Sequence, residues 1–164
     1  MNGLCIVFPA EYYGGMGVMR MIVTFCGHSK LYRTGDFSKW LDIILPSLIE
    51  GGAATFYLGG YGDFDSLASA AVRRQKAVYP HITAILVLAY LNREIDISRY
   101  DSTTYPPLEN VPPRYAIVRR NEWMVRESDV VISGVTHGWG GAAKTLDYAR
   151  RRQKVIFQFP THRE

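Results

Sequence analysis

A chain of 164 residues that is 48% hydrophobic and 21% charged suits one globular domain with a sizeable core. The net charge of +4 is mild, and no apolar run is long enough to cross a membrane. Cys5 and Cys26 lie far apart and form no CxxC pair, so the expectation is a reduced, cytosolic protein without a structural zinc site.

The first twenty residues, MNGLCIVFPAEYYGGMGVMR, lack the basic n-region of a signal peptide and are unlike the rest of the chain. We read residues 1–20 as an N-terminal extension, with Met19 or Met21 as the natural start, and residues 21–164 as a single domain. An added edge strand at Leu4–Phe8 is the competing reading. MIVTFC (21–26) is an apolar run ending at Gly27, the pattern of a buried strand. Phe37, Trp40, Leu41, Ile44, Leu45 and Leu48 recur at helical spacing. Asp36 is the expected cap of that helix, Pro46 an expected kink, and Gly51-Gly52 its end.

Ala54–Leu58 reads as the second strand. Phe64, Leu67, Ala68, Ala71, Val72 and Val78 form the stripe of a second helix, which Pro80 stops. ITAILVLAYL (82–91) is the most apolar strand. Residues 92–114, with Pro106-Pro107 and Pro112-Pro113, are irregular, and a segment of that length in a compact domain suggests a lid or a subunit contact ahead of a merely packed surface loop. A helix over 115–127, a strand at Val130–Val135, a helix at Gly141–Arg152 and a strand at Val155–Phe159 complete the order. Strands separated by helices imply parallel pairing through right-handed crossovers, hence an α/β protein: a three-layer α/β/α Rossmann-like sandwich with about five strands.

Ligands of an open parallel sheet bind beyond the carboxyl ends of the strands, where strand order reverses. Cys26-Gly27-His28-Ser29, Gly59–Asp65, Tyr90–Asn92 and Thr136–Gly141 all arrive there. Two of these loops are glycine-rich and open helices. In the first, Gly59-Gly60-Tyr61-Gly62 is followed by Asp63, placed to cap its helix, and by Asp65 in the first turn. These acids occupy the positive potential a phosphate would seek. The second loop, THGWGGAAK (136–144), has no acid in its first turn, so phosphate belongs at Gly138, Gly140 and Gly141. The first loop should then face sugar hydroxyls or a base, with Asp65 accepting hydrogen bonds; the alternative is a plain turn with two capping acids. Arg120 and Asn121 fall on or beside the apolar stripe Ile117, Val118, Met124 and Val125, where a polar group needs a partner. We expect ligand contact there, against an internal bond to a loop carbonyl. His28 and His137 reach the same edge as hydrogen-bonding groups; without a third ligand at metal spacing, no metal is expected. The cluster Arg150, Arg151, Arg152 and Lys154 reads as a solvated helix end rather than a nucleic-acid surface.

Together these segments resemble the SLOG superfamily, the Rossmann-like group of Smf DNA-processing proteins and Lonely-guy (LOG) phosphoribohydrolases. FCGHS (25–29) resembles the LOG signature FCGSS, and FYLGGYGDFDSLA (56–68) the family's second glycine loop. RNEWMVRESDVVIS (120–133) is similar to the LOG stretch with an Arg-Lys pair and Met before an Ala-Asp and a strand. HGWGGAAKTLD (137–147) stands in the place of PGGxGTxxE. The likeness spans residues 21–159 and extends to small bacterial and phage members with GGYGxFD and DHGWGGA-type motifs. It implies a homo-oligomer with sites near the interface; separately, no added cofactor is expected. It also implies that Arg120 matches the LOG catalytic arginine, whereas the LOG glutamate falls at Ala143 or Lys144 and is missing.

The first reading is therefore a cytoplasmic protein that recognises or sequesters a nucleotide or NAD-derived small molecule. The alternative is a LOG-like nucleoside-monophosphate phosphoribohydrolase, with Arg120 and Asp65 as its catalytic pair. A DNA-binding module like the Smf proteins ranks below both.

Overall fold

The computed structural model describes residues 20–161; the reading of residues 1–18 and the Leu4–Phe8 strand lie outside them. Six strands form one parallel sheet: β1 (Met21–Gly27), β2 (Ala53–Leu58), β3 (Thr83–Val87), β4 (Ser102–Thr104), β5 (Val130–Gly134) and β6 (Val155–Gln158), in the order β4-β3-β2-β1-β5-β6. The helices are α1 (Thr34–Glu50), α2 (Gly62–Val78), α3 (Ala116–Glu127) and α4 (Gly141–Arg151), with a 3-10 turn at Pro113–Tyr115. From β1 the chain winds outward through β2, β3 and β4, then returns to the other side of β1 as β5 and β6. The strand order therefore reverses between β1 and β5, whose pairs include Phe25↔Ile132 and Gly27↔Gly134.

Two-residue alternation along the central strands divides the core into two layers. Val23, Phe25, Val130 and Ile132 pack with Phe37, Leu41, Leu45, Phe64, Ala68 and Val72 of α1 and α2. Cys26, Val131 and Val135 pack with Val125 of α3 and with Ala143, Leu146 and Ala149 of α4. Helices on both faces of a parallel sheet make the expected Rossmann-like sandwich, one strand larger than the sequence suggests.

The additional strand is β4, three residues of the segment expected to be irregular. Ser102–Thr104 carry no apolar alternation, and the strand forms at the edge through pairing with Ile85–Val87. Asp101 locks its start, accepting the Ala84 amide at 2.7 Å and pairing with Lys76. β3 ends at Val87, short of the expected Leu91, whose side chain is exposed. α1 runs as one helix through Pro46. Its N-cap is Arg33, in a left-handed conformation (φ 59°), so Asp36 is not the cap but a first-turn acid paired with Arg33 at 2.6 Å. Val78, placed on the buried stripe of α2 by its spacing, is exposed in the last turn. No described helix is long and apolar enough to cross a membrane.

Candidate functional site

A cavity of about 380 Å³ opens at the reversal point, beyond the carboxyl ends of β1 and β5. Four pieces of chain wall it: Phe25–Lys30, the start of α2 at Tyr61 and Asp65, the α3 residues Ile117, Arg120, Asn121 and Met124, and His137 with Trp139–Ala142 and Thr145. Of the residues singled out in the sequence, Gly27, His28, Ser29, Tyr61, Asp65, Arg120, Asn121, His137, Gly140 and Gly141 line it. Gly59, Gly60, Gly62 and Gly138 do not.

The first glycine loop is a wall built from its own contacts. A Cβ on Gly59 would lie 2.9 Å from Asp65 Oδ2 and 3.1 Å from Arg120 Cζ. Gly62, at φ +87°, would meet the Ser29 backbone at 2.5 Å. These glycines permit close packing of loop on loop. Both acids accept backbone amides. Asp63 does not cap α2, whose N-cap is Tyr61; its carboxylate accepts the Leu31 amide at 2.9 Å and ties this loop to the one after β1. Asp65 reaches back to accept the Tyr61 amide at 3.0 Å, much as the acid of a capping box does. Burial pushes the Asp65 carboxyl pKa up, opposed by that amide and by Arg120.

Arg120 is almost fully buried. Its Nη1 donates to the carbonyls of Gly59 (2.7 Å) and Val87 (2.9 Å), and its Nε donates to Asn121 Oδ1 (2.8 Å). The internal bonds weighed from sequence are thus present, and they staple the β2–α2 loop to the end of β3. Burial pushes the Arg120 pKa down, with Asp65 acting against it. None of these bonds uses Nη2. A guanidinium fixed on one side by three acceptors is oriented before any ligand arrives.

The second loop is open. Gly138, Gly140 and Gly141 have no atom within 4 Å of where a Cβ would stand. Gly140 is the N-cap of α4 (φ 90°), no side chain caps the helix, and its first turn has no acid. The leading amides of α4 are therefore unpaired within the helix and carry the positive end of its dipole. Thr145 Oγ1 donates to the Gly141 carbonyl at 2.9 Å, holding the turn from behind.

Behind this loop, His28 and His137 stack with ring centroids 3.6 Å apart and planes 12° apart. Trp139 continues the stack on His137 at 3.7 Å and 23°. His28 Nε2 accepts the Thr136 amide at 3.0 Å, so the ring is held neutral with its proton on Nδ1. Burial first, and His137 second, push its pKa down. Cys26 also lines the cavity, but burial raises its thiol to about 12, so it is no nucleophile at neutral pH.

Sequence reasoning missed Trp139, Lys30, Thr145 and the cavity-facing role of Ile117 and Met124. The last two read as ordinary core on a helical stripe. Trp139 had a visible signal: a large aromatic between two glycines of a strand-to-helix loop, off every apolar stripe.

No protein-family model matches the sequence, and neither does any curated protein. The fold does have solved counterparts. DNA processing protein A from Helicobacter pylori, described for its single-stranded DNA binding mode, superimposes with a TM-score of 0.60 at 17% identity, covering 87% of this chain and 66% of that one. DNA processing protein A from Streptococcus pneumoniae gives 0.62 at 16%, covering 88% and 52%. The fold is theirs. The molybdenum cofactor binding protein of Rippkaea orientalis gives 0.59 at 18%, covering 87% and 77%. This chain thus spans about half to two thirds of the two DNA processing proteins, and its architecture fits the SLOG resemblance read from the motifs.

Proposed function

We propose that this protein binds a phosphate-bearing small molecule, a nucleotide or NAD-derived compound, in the cavity between β1 and β5. The observation that carries the reading is the start of α4. An uncapped, acid-free helix N-terminus with open glycines lies at the mouth of a cavity at the reversal point of a parallel sheet. An anion there would accept the leading amides of α4. The sugar would extend toward Asp65 and Asn121, and the exposed ammonium of Lys30 would offset further negative charge. Structural neighbours named for binding and carrying molybdenum cofactor support a small-molecule role for the fold.

Hydrolysis of an N-glycosidic bond is the second reading. Asp65, with its raised pKa, and Arg120 share the cavity, the combination that often marks functional sites. Binding without turnover is favoured because the α4 positions corresponding to the LOG glutamate are Ala143, which is buried, and Lys144, which is exposed. A general acid–base group supplies about 10²- to 10⁴-fold in rate, so its loss should leave hydrolysis slow. DNA binding has less support: Arg150 pairs with Asp147, and Lys154 donates to the Arg126 and Ser128 carbonyls, so half of the basic cluster is engaged within the fold.

The test is mass spectrometry of small molecules released on denaturing freshly purified protein, followed by incubation with a nucleotide panel and chromatography. A bound nucleotide-type compound returned unaltered supports the proposal. Free base appearing at an ordinary enzymatic rate would replace it with the hydrolase reading. Silencing of that activity in Asp65→Ala and Arg120→Ala, with circular dichroism showing each variant still folded, would then assign the catalysts.

A further inference from the structure

Trp139, the outermost ring of the three-ring stack, sits on the open loop and is not packed into the interior. An indole that stabilised the fold would be buried, yet Trp139 is 71% exposed. It is nonetheless held in place, since its ring lies on His137, which lies on His28, with successive spacings of 3.7 and 3.6 Å. The base of the stack is fixed, because His28 is buried and its Nε2 takes the Thr136 amide. Among the described residues, His137 Nδ1 is the only buried side-chain polar atom without a hydrogen-bond partner.

We propose that Trp139 is the stacking platform for a planar heterocycle of the ligand, with the His28–His137 pair as its rigid backing. The inference rests on the small-molecule reading above and narrows it to ligands in which a flat ring and an anion lie close together. Trp139 lines the same cavity as Gly140 and Gly141, one and two residues ahead of it, so ring and anion are gripped by neighbouring parts of one loop. Gly138 and Gly140, with open space at both Cβ positions, leave room for a ring to approach the indole. A pre-stacked indole loses little rotamer freedom when a further ring joins it, so more of the stacking appears as affinity. The volume agrees. At about 380 Å³ the cavity falls at the small end of ligand sites, which span roughly 300–1,000 Å³. It suits a mononucleotide-sized compound with a single heterocyclic base.

Calorimetric titration of AMP, GMP, CMP, UMP, ribose 5-phosphate and inorganic phosphate into the wild type, Trp139→Ala, Trp139→Phe and Gly141→Asp tests this. For the monophosphate that the wild type binds tightest, Trp139→Ala should lose roughly 5- to 150-fold, the equivalent of one base–aromatic stack. Trp139→Phe should stay within a few-fold, and ribose 5-phosphate should bind the wild type and Trp139→Ala alike. The near-ultraviolet absorption of the bound base should weaken with the wild type and not with Trp139→Ala. Equal affinity of wild type and Trp139→Ala for the base-bearing ligand, with Gly141→Asp still abolishing it, would overturn the platform and leave the anion site standing. Equal losses for the nucleotide and for ribose 5-phosphate would overturn it too, since Trp139 would then only shape the loop. Wild type that takes up no nucleoside monophosphate would overturn the mononucleotide proposal; if it also takes up neither ribose 5-phosphate nor phosphate, the anion site falls with it.

Discussion

Two glycine-rich loops open helices at the same edge of the sheet, and they are built for opposite ends. In Gly59–Asp65 the glycines are where they are because something else needs the space: Asp65 and Arg120 against Gly59, Leu86 against Gly60, the Ser29 backbone against Gly62. Its two acids already hold the Leu31 and Tyr61 amides. In Thr136–Gly141 the glycines touch nothing, and no side chain caps the helix at its end. A glycine-rich strand-to-helix turn therefore does not by itself mark a phosphate site. What matters is whether its donors and its space are already taken.

Breaking the closed loop should damage the fold. Arg120→Ala would leave the Gly59 and Val87 carbonyls without their donor and open a void beneath the loop. We expect a loss of about 3 kcal/mol in unfolding free energy by denaturant titration. A loss under about 1 kcal/mol would mean that solvent replaces the guanidinium easily.

Glycine replacement draws the contrast directly. Gly62→Ala meets the Ser29 backbone and forces alanine to φ +87°, so about 2–3 kcal/mol should be lost. Gly138→Ala enters open space at an unstrained backbone position and should stay within about 0.5 kcal/mol. Equal thermal shifts for the two variants would erase the distinction between the loops.

Asp65→Asn separates stability from binding at the boundary between them. Asparagine still offers an oxygen to the Tyr61 amide and removes a charge that burial opposes, so stability should not fall. Ligand affinity should drop by about 1–3 kcal/mol in calorimetry if the carboxylate accepts bonds from the sugar. Falling stability with unchanged affinity would make Asp65 a structural acid alone.

The histidine stack should be the gentlest to disturb, through pH. The folded state holds His28 neutral, with its pKa below that of an unfolded histidine. The stability it supports is present above the ordinary imidazole range and lost as pH falls through the depressed folded value. The thermal midpoint should decline from about pH 7 toward pH 5 more steeply in the wild type than in His28→Asn. Parallel slopes would remove His28 as the cause.

The alternation of strand and helix was legible because β1, β2, β3 and β5 are apolar and their helices carry clear stripes such as Phe37-Leu41-Ile44-Leu48. β4 was not, because Ser102-Thr103-Thr104 gains its strand conformation from β3, not from its own pattern. The cavity's place followed from topology, and its charged walls Asp65 and Arg120 from polar residues in conspicuous positions. The capping roles of Asp36 and Asp63 were misread because an acid near a helix start has several backbone amides in reach, and only the tertiary fold selects one. Trp139 was overlooked because stacking depends on three rings from two loops meeting in space.

The central claim is that the ligand's anion sits at the start of α4. Gly141→Asp tests it most directly: the position has open space and no positive φ, so the variant should fold normally while adding bulk and negative charge among the leading amides. Titrated with the tightest-binding phosphate-bearing ligand of the wild type, it should lose at least about tenfold in affinity, about 1.4 kcal/mol, at an unchanged unfolding midpoint. Affinity equal to the wild type's would contradict the account and place the anion elsewhere.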